Sequence, residues 1–184
     1  MTTYVPELDS AVLLITGVMA AGKSTVAQAL AERLPKAAHV RGDAFRRMTV
    51  TGRVDMGSPD GAEALAQLRL RYRLSASSAD GYAAAGWTAV VQDVVIGPEL
   101  ASYVDLVRTR PLYVVVLAPS PSTVAARESA RPKTGYSPAL TVADLDQGLR
   151  EDTARLGLWL DTSEQTPSET VDAILARLEE ARVA

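Results

Sequence analysis

Cysteine is absent from the 184 residues, which excludes disulfides and thiolate metal sites. Histidine occurs once, as His39, so a multi-histidine metal site is excluded as well. Lysine is almost as scarce. Lys23, Lys36 and Lys133 stand against 16 arginines, whose planar forks suit phosphate or carboxylate. No apolar run is long enough to span a bilayer, so no membrane partner is expected. Met1 to Asp9 lacks a basic stretch followed by an apolar one and does not read as a signal peptide. With a net charge of −3 and a pI of about 5.2, an extended footprint on a nucleic acid is not expected. The remaining expectation is a cytoplasmic protein of one domain, residues 1–184, with an ordinary apolar fraction of 47%.

The order of elements is regular. Ala11–Thr16 is a short, continuous apolar run, as in a strand buried on both faces. A glycine-rich turn follows over 17–22. Lys23–Leu34 then has helical spacing, and Pro35 marks its stop. Ala37–Val40 reads as a second strand ending at Gly42-Asp43, residues 44–50 as a helical turn, and 51–61 as a mobile loop. A long helix is predicted from Ala62 to Ala85, with Leu65, Leu68, Tyr72 and Leu74 as its buried stripe. Strands are predicted at Thr88–Asp93, Leu112–Leu117 and Leu158–Leu160, the last edge-like. Helices are predicted at Glu99–Val107, Ser120–Ala130 (capped by Ser120 or Ser122), Val142–Leu156 and Ser168–Arg182. Residues 131–138 read as a loop. Such alternation gives a parallel sheet covered by helices on both faces, with ligands beyond the carboxyl ends of its strands. Those ends are Gly17, Asp43, Asp93, Ala118 and Asp161.

Gly17-Val18-Met19-Ala20-Ala21-Gly22-Lys23-Ser24 matches G-x-x-x-x-G-K-[ST]. Random placement of the same residues gives about 0.002 matches in a chain of this composition. The strand before it and the helix after it complete the required context. Backbone N–H groups of such a loop cradle phosphates at a helix N-terminus. Lys23 bridges the β- and γ-phosphates, and the Ser24 hydroxyl ligands Mg²⁺. The other reading is a tight strand-to-helix turn that needs glycine.

Asp93 ends an apolar strand, where an acid holds the Mg²⁺ shell through water or simply forms a turn. Asp43 follows the second strand and precedes Arg46 and Arg47. It either orients an acceptor hydroxyl and takes its proton, or caps residues 44–50. The two arginines would keep it ionised and hold an anionic or polar acceptor. Arg127 and Arg131 precede a loop rich in proline and glycine. They read as lid cations that close over the transferring phosphoryl group, or as a solvated helix face. Arg69, Arg71 and Arg73 spread over different helix faces, so at most one reaches a common ligand. His39, Trp87 and Trp159 read as packing residues.

This order of motifs resembles the small phosphate-loop kinases of the nucleoside monophosphate, gluconate and shikimate kinase type. It is most similar to chloramphenicol phosphotransferase-like proteins. Their Ala-Gly-Lys-Ser matches Ala21-Gly22-Lys23-Ser24, and their catalytic aspartate after the second strand matches Asp43. Their Asp-Asp-Val is similar to Gln92-Asp93-Val94, and their Arg-Glu-x-Ala-Arg to Arg127-Glu128-Ser129-Ala130-Arg131. Gln92 departs from the first acid of the pair, and residues 44–85 show no resemblance.

The resemblance implies an α/β phosphate-loop NTPase sandwich of three layers, with a five-stranded parallel sheet of order 2-3-1-4-5 and a small lid at 127–140. It implies transfer of the γ-phosphate of ATP, with Mg²⁺, to a hydroxyl of a small molecule such as an antibiotic or another metabolite, held by the insert 44–85. ATP would meet Gly17, Ala20, Ala21, Gly22, Lys23, Ser24, Thr25 and Arg127, and adenine would meet Asp161 and Thr162. Lys23, Asp43, Arg127 and Arg131 would carry the transfer, Asp43, Arg46, Arg47 and Asp93 would face the acceptor, and Ser24 and Asp93 would organise the metal. A monomer or homodimer is expected. The alternatives are a nucleoside or nucleotide kinase and a switch that hydrolyses a nucleotide slowly. The N-K-x-D segment of guanine-selective switches is absent.

Overall fold

The computed structural model describes residues 4–130, 136 and 140–184. Five parallel strands form one sheet: β1 (Val12–Gly17), β2 (Ala37–Arg41), β3 (Thr88–Gln92), β4 (Leu112–Leu117) and β5 (Leu158–Leu160). Their spatial order is β2-β3-β1-β4-β5, the predicted 2-3-1-4-5. Every residue of β1, β3 and β4 is buried, which is why these strands are continuous apolar runs rather than alternating ones.

Helix α1 (Lys23–Arg33) packs on β1, β2 and β3 and is backed by α7 (Pro167–Ala176). The same three strands also carry α3 (Gly61–Ala84), which packs beside α4 (Glu99–Leu106) and meets the short α2 (Gly42–Met48). After β4 come α5 (Pro121–Ser129) and α6 (Val142–Gln147), the latter continued by a wide turn at Gly148–Asp152. The chain ends in α8 (Leu178–Ala181), on β4 and β5. No described helix is long and apolar enough to cross a membrane.

Four expectations are corrected. The stripe of α3 is set by Ala64, Tyr72, Ser75, Ala76, Ala79 and Ala83, and Leu74 is 43% exposed. Small residues let this helix lie close to the strands, so alanine rather than leucine marks its buried face. The predicted closing helix is two helices, because Arg177 leaves helical geometry at φ −121°. The predicted helix over 142–156 ends by Asp152. Helix α2 starts at Gly42, with Arg41 in the capping position, so Asp43 lies in its first turn and is not the cap. Ser120, by contrast, does cap α5, accepting from Thr123 N–H at 3.2 Å.

Candidate active site

The carboxyl ends of the strands meet at one edge. Gly17 pairs with Leu117, Leu117 with Leu160, and Ile15 and Arg41 both with Gln92. The phosphate-loop sequence leaves β1 here and turns into α1. Its first residue runs so close to β4 that a Cβ on Gly17 would stand 2.4 Å from the Leu117 carbonyl oxygen, and its φ is +142°. Gly22, at φ +96°, forms the left-handed entry to α1. Ala20 is left-handed as well, at φ 61°. Lys23 opens the helix, is 8% exposed, and donates to the Val18 carbonyl at 2.7 Å, so its ammonium folds back over the loop. Ser24 and Thr25 are exposed in the first turn.

Asp93 follows β3 and is 4% exposed. Its Oδ1 accepts from Arg71 at 2.9 Å and from its neighbour Val94 N–H at 2.8 Å. Its Oδ2 is buried with no hydrogen-bond partner. Burial pushes this carboxyl above its ordinary range, while Arg71, the Val94 N–H and Lys23 pull it back. The segment after Asp93 is pinned to β1. Thr16 Oγ1 donates to the Val95 carbonyl at 2.8 Å and accepts from Val95 N–H at 2.9 Å.

Asp43 sits one residue past Gly42, and a Cβ on Gly42 would stand 1.9 Å from Asp93 Oδ2. The bare glycine therefore lets the start of α2 close on the buried Asp93, and the next residue, Asp43, has its side chain 53% exposed and close enough for its charge to raise Asp93 slightly. Arg47 reaches Asp43 at 3.1 Å, one helical turn away. Arg46 does not; it pairs with Asp55 in the segment between α2 and α3. Of the alternating arginines, Arg71 enters the site, while Arg69 forms a bidentate pair with Glu99 of α4 at 2.7 Å.

Arg127, in the last turn of α5, donates to the Ala21 carbonyl at 3.3 Å and the Thr162 carbonyl at 2.8 Å. It bridges the phosphate loop and the segment after β5. Tyr136 adds a second tie, its hydroxyl donating to the Met19 carbonyl at 2.7 Å. Arg131, and with it most of the predicted lid after Ala130, lies outside the described residues. Asp161 accepts from Ser163 N–H at 2.9 Å and from the Ser163 hydroxyl, whose Oγ in turn accepts from Ser120 N–H at 2.8 Å. Those bonds to Ser163 hold the Asp161 carboxyl below its ordinary range. Thr162 is 2% exposed, and its hydroxyl has no hydrogen-bond partner.

The sequence brought forward Lys23, Ser24, Asp43, Asp93 and Arg127, and the fold gathers them at one sheet edge. It missed Gly42 as the residue against which Asp93 packs, and Tyr136. The signal for Gly42 was its place at a strand end directly before an aspartate. His39 is half-buried on β2, with Nδ1 against Gln28 Oε1 at 2.9 Å. Trp159 packs under the Arg155 guanidinium at 4.0 Å.

A family model described as an AAA domain matches residues 12–153. Comparison with curated protein sequences finds no match. Among solved structures, the chain is similar to a sugar kinase from Janibacter sp. HTCC2649, at 21% identity and a TM-score of 0.63, covering 93% of this chain and 95% of that one. It is similar to a gluconokinase from Sinorhizobium meliloti 1021, at 24% identity and a TM-score of 0.60, covering 92% and 93%. It is also similar to the APS kinase of Mycobacterium tuberculosis, solved with AMPPNP and APS, at 18% identity and a TM-score of 0.66, covering 92% and 97%.

Proposed function

The chain belongs to this AAA-domain family of phosphate-loop proteins, and we propose that it is an ATP- and Mg²⁺-dependent phosphotransferase acting on a hydroxyl of a small molecule. The reading rests on one observation: an exposed carboxylate, Asp43, stands beside the buried Asp93 at the same sheet edge as a complete phosphate loop. A hydrolytic switch has no need of a solvent-facing acid at the acceptor end, whereas alcohol phosphorylation does.

In this reading the loop amides of 17–24 and the N-terminus of α1 bind the β- and γ-phosphates. Lys23 leaves the Val18 carbonyl to stabilise charge on the phosphoryl oxygens. Asp43 orients the acceptor hydroxyl and takes its proton. The acceptor oxygen forms its bond to the γ-phosphorus as the bond from that phosphorus to the ADP oxygen breaks, and ADP leaves with the electron pair. Arg127 holds the loop against the segment after β5, and Asp161 and Thr162 line the nucleotide's far end. Arg131 would join it from the lid at 127–140.

The residues present fit a magnesium ion. Asp93 Oδ2 is a buried acceptor without a partner, and Ser24 exposes its hydroxyl at the start of α1. Mg²⁺ keeps most of its waters and takes one or two carboxylates plus substrate phosphates, so a single buried acid suffices. When bound, the ion supplies charge neutralisation on the phosphate oxygens.

The test is ATP consumption with Mg²⁺ against hydroxylated compounds: nucleosides, sugars and sugar acids, aminoglycosides, macrolides and chloramphenicol. Stimulation by an acceptor, with its phosphorylated product seen by mass, is the expected result. ATP turnover that no acceptor changes would favour the switch reading instead.

A further inference from the structure

Strand β1 is buried throughout, and Thr16 stands in its apolar run where a valine of the same shape would fit. A hydroxyl buried on such a strand is costly unless it is hydrogen-bonded, and this one is bonded twice. Thr16, at 0% exposure, donates to the Val95 carbonyl at 2.8 Å and accepts from Val95 N–H at 2.9 Å. One side chain thus meets both backbone polar groups of a residue that is itself fully buried.

These bonds lie where the sheet stops. Strands β1 and β3 stay in register as far as Ile15 and Gln92, and Asp93 N–H reaches the Ile15 carbonyl at 3.3 Å. Gly17 then pairs with Leu117 on the other side, and the chain turns into the phosphate loop. From Asp93 onward, side chains take over from the sheet. Arg71 holds Asp93 itself, and the Tyr72 hydroxyl donates to the Val94 carbonyl at 2.5 Å. Both of these belong to α3, which carries no part of the phosphate loop. Thr16 differs from them: it is the chain neighbour of Gly17, and its partner Val95 is two residues from Asp93. Its hydroxyl ties the base of the loop directly to the segment that bears the buried acid.

Resting on the kinase reading above, we infer that Thr16 is a positioning residue whose hydroxyl sets the spacing between the phosphate loop and Asp93. Phosphates bound by the loop and a Mg²⁺ ion held by Asp93 must meet at one place, and Mg²⁺ tolerates little departure from its short octahedral bonds. Without the hydroxyl, two buried backbone groups lose their partners, and the segment must shift to find others. Asp93 shifts with it, while the loop keeps its own contacts.

The test titrates a fluorescent ATP analogue in EDTA and in Mg²⁺ against wild type, Thr16→Val, Thr16→Ala and Thr16→Ser, with folding checked by urea midpoint. Thr16→Ala leaves room for a water at Val95, so it serves if the valine variant does not fold. Thr88→Val is the control for lost stability. Thr88 is also buried and its hydroxyl also donates to a backbone carbonyl, that of Leu8 at 2.7 Å, but at the opposite end of the sheet. In EDTA all chains should bind alike. The gain in affinity from Mg²⁺ should hold in Thr16→Ser and Thr88→Val and shrink by about tenfold in Thr16→Val and Thr16→Ala, the worth of one hydrogen bond. ATP turnover should fall in the same two variants. A full Mg²⁺ gain in folded Thr16→Val or Thr16→Ala overturns the inference. An equal loss in Thr88→Val overturns it by making the effect one of stability, and an equal loss in Thr16→Ser by making it one of shape. A wild-type chain that binds the analogue with no gain from Mg²⁺ overturns it too. Failure of the wild-type chain to bind the analogue at all would instead remove the kinase reading on which the inference stands.

Discussion

Arg71 donates to Asp93 Oδ1 at 2.9 Å while Oδ2 of the same carboxylate lies where a side chain on Gly42 would be. Strand-end acid, α3 and the β2–α2 junction are thus locked in one contact. Gly42→Ala would place a methyl 1.9 Å from Oδ2 and 2.4 Å from Cγ. Overpacking of this kind costs about 1–3 kcal/mol. Urea unfolding should register that loss, and turnover should fall with it. Wild-type stability and turnover in this variant would mean that Asp93 swings aside freely and that the junction does not position it.

Asp43→Asn keeps the shape of the exposed acid and removes its capacity to take a proton. Turnover should drop by about 10²–10⁴-fold. ATP affinity should hold, since Asp43 lies on α2 and not on the phosphate loop. Rapid-quench measurement of γ-phosphate transfer with a saturating acceptor separates the two. Unchanged transfer would take Asp43 out of the mechanism.

Removing Arg71 while Asp93 remains leaves a buried carboxylate without its cation. Arg71→Met should therefore destabilise the fold by about 3–5 kcal/mol. The double variant Arg71→Met with Asp93→Asn should recover much of that stability without recovering activity. Additive losses in the double-mutant cycle would show that the pair does not act as a unit.

The phosphate loop was legible because its residues are contiguous and its chemistry is local. The parallel sheet was legible because apolar runs alternate with helical spacing, and the strand order came with the family resemblance. What failed was set by packing between distant segments. Leu74 has the spacing of a core residue, yet α3 approaches the sheet through alanines and leaves it outside. Asp43 looks like a cap in sequence, but β2 runs straight into α2 and gives that place to Arg41. Arg69, Arg71 and Arg73 are alike in sequence. Only the position of Asp93 across the fold decides that Arg71 is the one used.

His39 supplies a pH dependence with a definite sign. Burial, with Arg41 nearby, pushes its imidazole from 6.5 down to about 4. Between those values the unfolded chain binds a proton that the folded chain refuses, so stability falls as pH drops from about 6.5 toward 4. His39→Gln should flatten the decline of the urea midpoint between about pH 6.5 and 5, above the range where most carboxylates titrate. An identical decline in both chains would show that His39 ionises freely in the fold.

Arg127 spans two carbonyls, of Ala21 and of Thr162, with its two terminal nitrogens. That geometry needs a fork rather than a point charge, so lysine is not a conservative replacement. Arg127→Lys keeps the cation but can hold only one side of the bridge well. If charge alone matters, the variant should bind and turn over ATP normally. If the bridge fixes the phosphate loop against the nucleotide's far end, ATP affinity should weaken by about tenfold, one lost charged hydrogen bond. Titration of the variant with a fluorescent ATP analogue, alongside Arg127→Ala, distinguishes these. Equal weakening in both variants assigns Arg127 to the bridge. Weakening in the alanine variant alone would return it to the role of a simple cation over the phosphates.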